Sequence, residues 1–193
     1  PTPATNQNML IKSYKINGLF KIKPKIFNDS RGYFFESFNK KKYKKIIREN
    51  LIQDNHSFSK KNVLRGIHFQ YKKPQSQLFY LVTGKIFVCV IDFRSKSKTF
   101  LNKQYITLDS TKHEQIYMTA GLGSGFVSLS SNIHLLYKVS KLYSPENEMG
   151  IRWNDPFLKI NWPCEKPVIS KKDLTNPFIK DLNFDNFNDL KIL

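Results

Sequence analysis

Residues 78–94 constrain the fold more tightly than any other stretch. They read Leu78-Phe-Tyr-Leu-Val-Thr, break at Gly84, and resume as Lys85-Ile-Phe-Val-Cys-Val-Ile-Asp-Phe-Arg94. Side chains on a strand alternate between its two faces, so the run from Ile86 to Phe93 is apolar on both, and each face has to be covered. We expect a rigid apolar hairpin here, packed against a second sheet or a second subunit. Further short strands are expected over 104–108, 115–118, 125–129 and 134–140, each bounded by turn residues. Residues 10–27 read as short strands turning at Gly18, with Pro24 marking an edge, paired outside the main core. Only 39–50 carries a helical pattern, with Asn39 as a cap and Tyr43, Ile46 and Ile47 on one face. Many short strands with almost no helix indicate an all-β sandwich or barrel.

A chain of 193 residues suits one domain with a sizeable core. The expected domain is 9–193, with a peripheral tail from Lys180 onward. Pro1 to Asn8, polar and followed by a Met, reads as an appended remnant or a disordered leader. Lys and Arg number 32 against 15 Asp and Glu, a formal charge of +17 that invites an anionic partner. The excess is mostly lysine, scattered through a chain rich in Asn, Ile and Phe. Lys40, Lys41, Lys42, Lys44 and Lys45 have no aromatic residues interleaved on the exposed side for base stacking. Solvated lysines therefore explain the charge better than nucleic acid does, and neither nucleic acid nor a membrane is an expected partner. No apolar run approaches the ~18 residues of a membrane span. Two isolated cysteines, Cys89 and Cys164, read as free thiols of a reducing compartment, the cytoplasm.

The stretch Val63-Leu-Arg-Gly-Ile-His-Phe-Gln-Tyr-Lys-Lys-Pro-Gln-Ser-Gln77 brings a cation, an imidazole and an amide together. Arg65, His68 and Gln70 share one strand that enters an apolar region and breaks at Pro74. A histidine with polar neighbours on such a strand is either a hydrogen-bonded core residue or a working group. A metal centre would need a second ligand nearby, and the pair at that spacing is His68-Phe-Gln70 rather than His-x-His. No metal and no other cofactor is expected. Phosphate-binding glycine loops, dinucleotide-binding glycine patterns and CxxC motifs are also missing from the sequence. Gln53-Asp-Asn-His-Ser57 reads as a polar loop ahead of this strand. Asn28-Asp-Ser-Arg-Gly32 reads as a turn feeding an aromatic strand, Tyr33 to Phe38, that carries Glu36.

Five ordered motifs carry a resemblance. They are Leu64-Arg-Gly-Ile-His-Phe-Gln70; Gly125-Phe126 with Leu129-Ser130; Leu136-Tyr-Lys138; Glu148 with Gly150-Ile-Arg-Trp-Asn-Asp155; and Asn161-Trp-Pro163. Together they resemble the dTDP-4-dehydrorhamnose 3,5-epimerase family, from about Leu10 to Asp173. The resemblance implies an all-β cupin-type jelly roll or β-sandwich with a few short peripheral helices, dimeric. It also implies a metal-independent epimerase of a nucleotide-diphosphate 4-keto-6-deoxy sugar, dTDP foremost, supplying deoxysugar for a surface polysaccharide such as lipopolysaccharide or capsule.

Epimerisation beside a ketone needs a base for the α-proton, a donor for the developing enolate oxygen, and an acid on the opposite face. Carried over by matching motif, His68 is the base, Asp173 in Ser170-Lys-Lys-Asp173 orients it, and Tyr137 is the acid. Arg31 and Arg65 match diphosphate contacts; Phe27, Phe34 and Tyr143 match positions around the base; Glu36, Gln53 and Asn55 match polar contacts to the nucleotide and its surroundings. Part of this set, Phe27 and Arg31 included, would reach in from the neighbouring subunit, so that a homodimer completes each site. Two positions depart from the family pattern. Gln77 stands where a lysine usually helps to hold the carbonyl oxygen, and Ser124 stands where a histidine is usual. A site altered in this way leaves two alternatives open: an epimerase acting at C3 or C5 alone, and a catalytically idle sugar-nucleotide binder.

Overall fold

Two antiparallel sheets close their apolar faces over one another in a computed structural model that describes residues 8–184. The first sheet runs, in spatial order, β1 (Leu10–Ser13), β2 (Leu19–Lys23), β10 (Gln115–Met118), β7 (Gln77–Thr83), β12 (Ile133–Val139) and β5 (Gln53–Ser59). The second runs β13 (Glu148–Gly150), β6 (Leu64–Gln70), β11 (Leu122–Ser128), β8 (Lys85–Asp92) and β9 (Lys103–Asp109). A separate hairpin pairs β3 (Phe27–Asp29) with β4 (Gly32–Phe34). This is a cupin-like β-sandwich with short peripheral helices.

Between the sheets Leu81, Ile116 and Leu135 meet Ile86, Val88, Val90 and Phe126. The opposite side chains of β8, Cys89 and Ile91, pack with Ile67 and Phe69 beneath Ile151, Leu158 and Ile179 of the C-terminal segment. Both faces of β8 are thus covered, as its apolar run requires. The C-terminal cover is pinned by Asp155, whose carboxylate accepts from the backbone N–H groups of Phe157, Leu158 and Ile179 at 2.9, 2.7 and 2.7 Å.

Five sequence expectations change in the structure, the first being the aromatic strand over 33–38, which ends at Phe34 in β4 and leaves Glu36 outside it. β7 and β8 do not pair as a hairpin, because the chain passes from one sheet to the other at Gly84. Its φ of 86° suits glycine, and a Cβ there would meet Ile133 Cδ1 at 2.4 Å and Ser130 Oγ at 2.6 Å. Residues 53–57 are not a loop but the start of β5, a strand whose alternate residues Gln53, Asn55 and Ser57 line an interior cavity. β2 belongs to the core rather than lying outside it, with Leu19 and Ile22 fully buried. The helix expected over 39–50 shrinks to one turn, α1 (Lys40–Tyr43), capped by Asn39 as expected. Lysines at 40, 41, 44 and 45 fall three or four apart and repel one another along a helix surface, so Tyr43 and Ile47 hold the segment through packing instead. The remnant or leader expected over 1–8 lies outside the described residues as far as residue 7, and the expected tail lies outside them from 185 onward. Among the described residues no helix is long and apolar enough to cross a membrane.

One end of the sandwich is held by a fully buried ion pair. Arg94 donates from Nε to Asp92 Oδ1 at 2.8 Å and from Nη2 to Oδ2 at 2.9 Å, and also reaches the Asn17 carbonyl oxygen at 2.8 Å. The hydroxyls of Ser97 and Thr99 donate to the same carboxylate at 2.6 and 2.7 Å. Burial alone would raise the Asp92 carboxyl, but Arg94 and the two hydroxyls outweigh it and hold it below the usual range. Asp92→Ala leaves the Arg94 charge buried without its carboxylate and is expected to cost about 3–5 kcal/mol, read by denaturant unfolding. A loss under about 1 kcal/mol would contradict this account of the pair.

Candidate active site

The interior cavity, about 480 Å³, lies at the polar end of the sandwich, and both sheets supply its walls. On the six-stranded side the two-residue period of β5, β7 and β12 turns Gln53, Asn55, Ser57, Gln77, Phe79 and Tyr137 inward. Tyr137 lies between Asn55 and Phe79 in the strand register.

On the five-stranded side Arg65, His68 and Gln70 all line the cavity. Arg65 and His68 are three apart and would face opposite sides of a regular strand. The pairing of β6 with β11 resolves this, because Phe126 is opposite Arg65 and Ser124 is opposite His68. Two residues of β6, Gly66 and Ile67, therefore answer to one of β11, Gly125, which is a bulge that brings both polar side chains to one face. Gly66 has φ 102°, and a Cβ on it would meet Gly125 Cα and the Ser124 carbonyl oxygen at 2.6 Å each. Only glycine fits that close approach.

The same gap at Gly66 admits the carboxylate of Asp173. It sits on a one-turn helix, α2 (Lys171–Leu174), whose N-cap hydroxyl, Ser170 Oγ, accepts from the Asp173 N–H at 3.0 Å. The approach is steered by a bridge between Val63 and Val168, in which Leu64 N–H donates to Val168 O at 2.9 Å and Val168 N–H to Asn62 O at 2.8 Å. Asp173 Oδ1 lies 2.5 Å from His68 Nε2, and Gly66 N–H donates to Oδ2 at 3.3 Å. Nε2 is thereby the nitrogen that faces the carboxylate, and Nδ1 is left for the cavity. Burial would raise the Asp173 carboxyl; the hydrogen bond and charge of His68, with the Gly66 amide, outweigh it and keep it below the usual carboxylate range. Across the cavity, burial pushes the Tyr137 phenol above its ordinary value, against the pull of Arg65 and with a further push from Glu148. The phenol is therefore protonated at neutral pH and able to donate.

Of the thirteen residues singled out from sequence, nine line this one cavity: His68, Tyr137, Asp173, Gln77, Arg65, Gln53, Asn55, Tyr143 and Ser124. Arg65 is anchored across the cavity wall, Nε donating to Ser59 Oγ at 3.1 Å and Nη2 to the Phe58 carbonyl at 3.0 Å. Gln53 Nε2 donates to Asn55 Oδ1 at 2.8 Å, and Gln53 Oε1 accepts from Tyr143 N–H at 3.2 Å. The other four are not brought there. Phe27, Arg31 and Phe34 stand exposed on the β3–β4 hairpin, with the Arg31 guanidinium paired to Asp29 at 2.6 Å. Glu36 accepts from Asn39 Nδ2 at 2.8 Å and pairs with Lys42 at the start of α1.

Beside those nine, the cavity is lined by Ser57, Gln70, Glu148 and Lys172. Ser57 Oγ and Gln70 Oε1 are buried with no hydrogen-bond partner among the described residues. Glu148 pairs with Lys172 and accepts from Tyr143 OH at 3.0 Å. Signals for two of them existed: Lys172 adjoins Asp173, and Ser57 continues the alternation of Gln53 and Asn55. No group of three or more His, Cys, Asp or Glu residues is placed to hold a metal ion among the described residues.

A two-sheet antiparallel sandwich with an imidazole–carboxylate pair on one wall of its cavity and a phenol on the other defines a cupin-type enzyme built for proton transfer. Comparison with known proteins narrows the class. The profile of the dTDP-4-dehydrorhamnose 3,5-epimerase family matches residues 13–181. The Salmonella typhimurium enzyme of that name is 38% identical over 175 residues, covering 89% of this chain and 96% of the relative. Its Pseudomonas aeruginosa counterpart is 39% identical over 153 residues, covering 78% and 84%. Among solved structures, the dTDP-6-deoxy-D-glucose-3,5-epimerase of Legionella pneumophila in complex with dTDP-4-keto-L-rhamnose superposes with a TM-score of 0.91. It is 34% identical, and the match covers 96% of this chain and all of that one. A 3'-monoepimerase from Streptomyces bikiniensis in complex with dTDP-quinovose superposes with a TM-score of 0.80 at 31% identity, covering 86% and 85%. The chain belongs to the dTDP-4-dehydrorhamnose 3,5-epimerase family, a family of isomerases.

A carboxyl whose pKa is depressed by folding adds stability above its unfolded value of about 3.9, and that share is lost as pH falls through the folded value. Asp173→Asn is therefore expected to be less stable than wild type at neutral pH, with the gap closing as acid protonates the wild-type carboxylate. Denaturant midpoints collected between roughly pH 3 and pH 8 check this, and a gap that does not change with pH would contradict it.

Proposed function

We propose that the chain epimerises a dTDP-linked 4-keto-6-deoxy sugar at C3 and C5, in the cytoplasm, for the synthesis of a surface deoxysugar. One observation carries the reading: His68, backed by Asp173, and Tyr137 occupy opposite walls of one cavity in a chain of this family. His68 Nδ1 takes the α-proton, and the C–H electron pair moves into the ring while the carbonyl pair moves onto oxygen. Asp173 accepts the remaining Nε2–H and stabilises the imidazolium. Tyr137 delivers a proton to the opposite face of the enolate, which inverts the centre. Gln77 offers a neutral N–H donor near the oxygen. Arg65 holds the diphosphate, while Gln53, Asn55 and Tyr143 contact the nucleotide. The free thiols of Cys89 and Cys164 are compatible with a reducing compartment.

Incubation with the 4-keto sugar in deuterated water is expected to place deuterium at both C3 and C5. His68→Asn should lower that exchange by about a hundredfold or more, the usual contribution of a positioned general base. Tyr137→Phe should keep exchange, since His68 can return a solvent deuteron to the face it came from, yet lose inversion. A wild type without exchange at either carbon would refute the epimerase and leave a sugar-nucleotide binder.

A second reading, epimerisation at a single carbon, is favoured by the neutral Gln77 and Ser124 beside His68 and by the likeness to a monoepimerase. Deuterium at one carbon alone would select it.

The exposure of Phe27, Phe34 and Arg31, away from the cavity of their own chain, supports a homodimer in which each hairpin completes the neighbour's site. Co-expressing Arg31→Ala with His68→Asn tests this, because the mixed dimer would hold one site with both native residues. About a quarter of wild-type activity is expected from random pairing, whereas sites complete within one chain would give no recovery.

A further inference from the structure

The β3–β4 hairpin pairs with no other strand among the described residues, and two strands alone are marginally stable in water. Its pose therefore depends on side chains. Strand alternation gives the segment two aromatic faces. Phe27 and Phe34 lie opposite each other in register, with ring centroids 6.4 Å apart, and are 46% and 66% exposed. Tyr33 and Phe35, stacked at 6.1 Å, turn the other way, against the body of the chain.

There one ring meets both. His113 lies 4.4 Å from Tyr33 and 5.2 Å from Phe35, centroid to centroid, and Tyr80 of β7 meets Phe35 edge-on at 5.5 Å. The loop that presents the imidazole is tight. Asp109 accepts from the Thr111 N–H and hydroxyl at 3.1 and 2.8 Å, and the His113 N–H donates to the Ser110 carbonyl at 3.2 Å. His113 takes φ 52°, a left-handed conformation that histidine and asparagine adopt more readily than most residues. Its Nδ1 is buried with no hydrogen-bond partner among the described residues. Burial, with Lys23 adding to it, lowers its pKa, so the ring is neutral at neutral pH. A neutral imidazole with a buried, unpaired nitrogen serves as a flat packing surface. Two residues on, Gln115 Nε2 donates to the Ser37 carbonyl at 2.6 Å and holds the root of the same segment.

We propose that His113 is a positioning residue: by clamping Tyr33 and Phe35 it sets the pose in which the hairpin presents Phe27, Phe34 and Arg31 to the nucleotide in the neighbouring subunit's site. The inference rests on the homodimer reading and adds to it the residue that aims the hairpin. His113 touches no reacting atom, so its effect falls on binding, and it falls on the other subunit.

The test is His113→Asn, which keeps a residue tolerant of the left-handed backbone and removes the ring. KM for the dTDP-linked 4-keto sugar and Kd for dTDP should both rise about tenfold, the scale of one or two aromatic contacts, with kcat within about twofold of wild type. Tyr33→Leu, at a position 58% exposed on the hairpin, should do the same, and the double variant should be no worse than either alone. Unchanged KM and Kd in the single variants would overturn the proposal, and so would a double variant worse than both. Should His113→Asn fail to fold, Tyr33→Leu decides. The direction of action is read by co-expressing His113→Asn with His68→Asn and purifying the mixed dimer through two tags. The site that keeps a native His68 then receives its hairpin from the chain with a native His113, and wild-type KM should return. A KM still raised in the mixed dimer would place the action of His113 within its own chain and contradict the proposal. Failure of the homodimer reading shows separately, as no recovery when Arg31→Ala is co-expressed with His68→Asn.

Discussion

The contact between His68 and Asp173 joins residues 105 apart in sequence, and much of the architecture is arranged to make it. The carboxylate arrives from a C-terminal segment that first crosses the outer face of the five-stranded sheet, where Ile151, Leu158 and Ile179 bury the side of β8 and β6 that faces away from the cavity. Asp155 fixes the turns of that segment, and the Val63–Val168 bridge sets its distance from β6. A carboxylate this deeply buried is tolerated because hydrogen bonds from the His68 imidazole, the Gly66 backbone amide and the Asn176 side-chain amide surround it. Covering the apolar face and positioning the base are thus done by one stretch of chain.

The second requirement is local. Arg65 and His68 reach the same cavity because β6 bulges at Gly66–Ile67 against Gly125. Any side chain at Gly66 would collide with β11, and the N–H of the same residue donates to Asp173. One glycine therefore sets both the direction of the imidazole and the seat of its carboxylate. On the facing sheet the same end is achieved without irregularity, since plain alternation brings Gln53, Asn55, Ser57 and Tyr137 inward. The resulting cavity pairs His68 with Asp173 and Lys172 with Glu148, adds the Arg65 guanidinium held by Ser59 and the Phe58 carbonyl, and is otherwise lined mainly by amides, hydroxyls and aromatic rings.

Much of this was legible in the sequence. The two-faced apolar run of β8 demanded the sandwich, and Leu64-Arg-Gly-Ile-His-Phe-Gln70 with its companion motifs pointed to the family. What failed did so for identifiable reasons. β5 was read as a loop because its inward positions are polar, and polarity signals solvent unless a cavity is already known to be there. β7 and β8 were read as paired, because a glycine between two apolar runs looks the same whether the chain folds back or crosses to another sheet. Lysine-rich 39–50 has the apolar spacing of a helix, but like charges three and four apart oppose its extension. The unpaired state of Gln70 Oε1 left no mark in the sequence, since it is defined by the surroundings of the amide rather than by spacing.

Whether His68 can act as a base toward the cavity depends on which imidazole nitrogen carries the proton. Nitrogen-15 NMR of the histidine-labelled protein, with His68 assigned by comparison with His68→Asn, reads this directly in the neutral ring. The geometry predicts a protonated Nε2 directed at Asp173 and a bare Nδ1 directed at the cavity. A ring protonated on Nδ1 with Nε2 bare would leave the cavity facing a donor instead of a base, and would contradict the central claim.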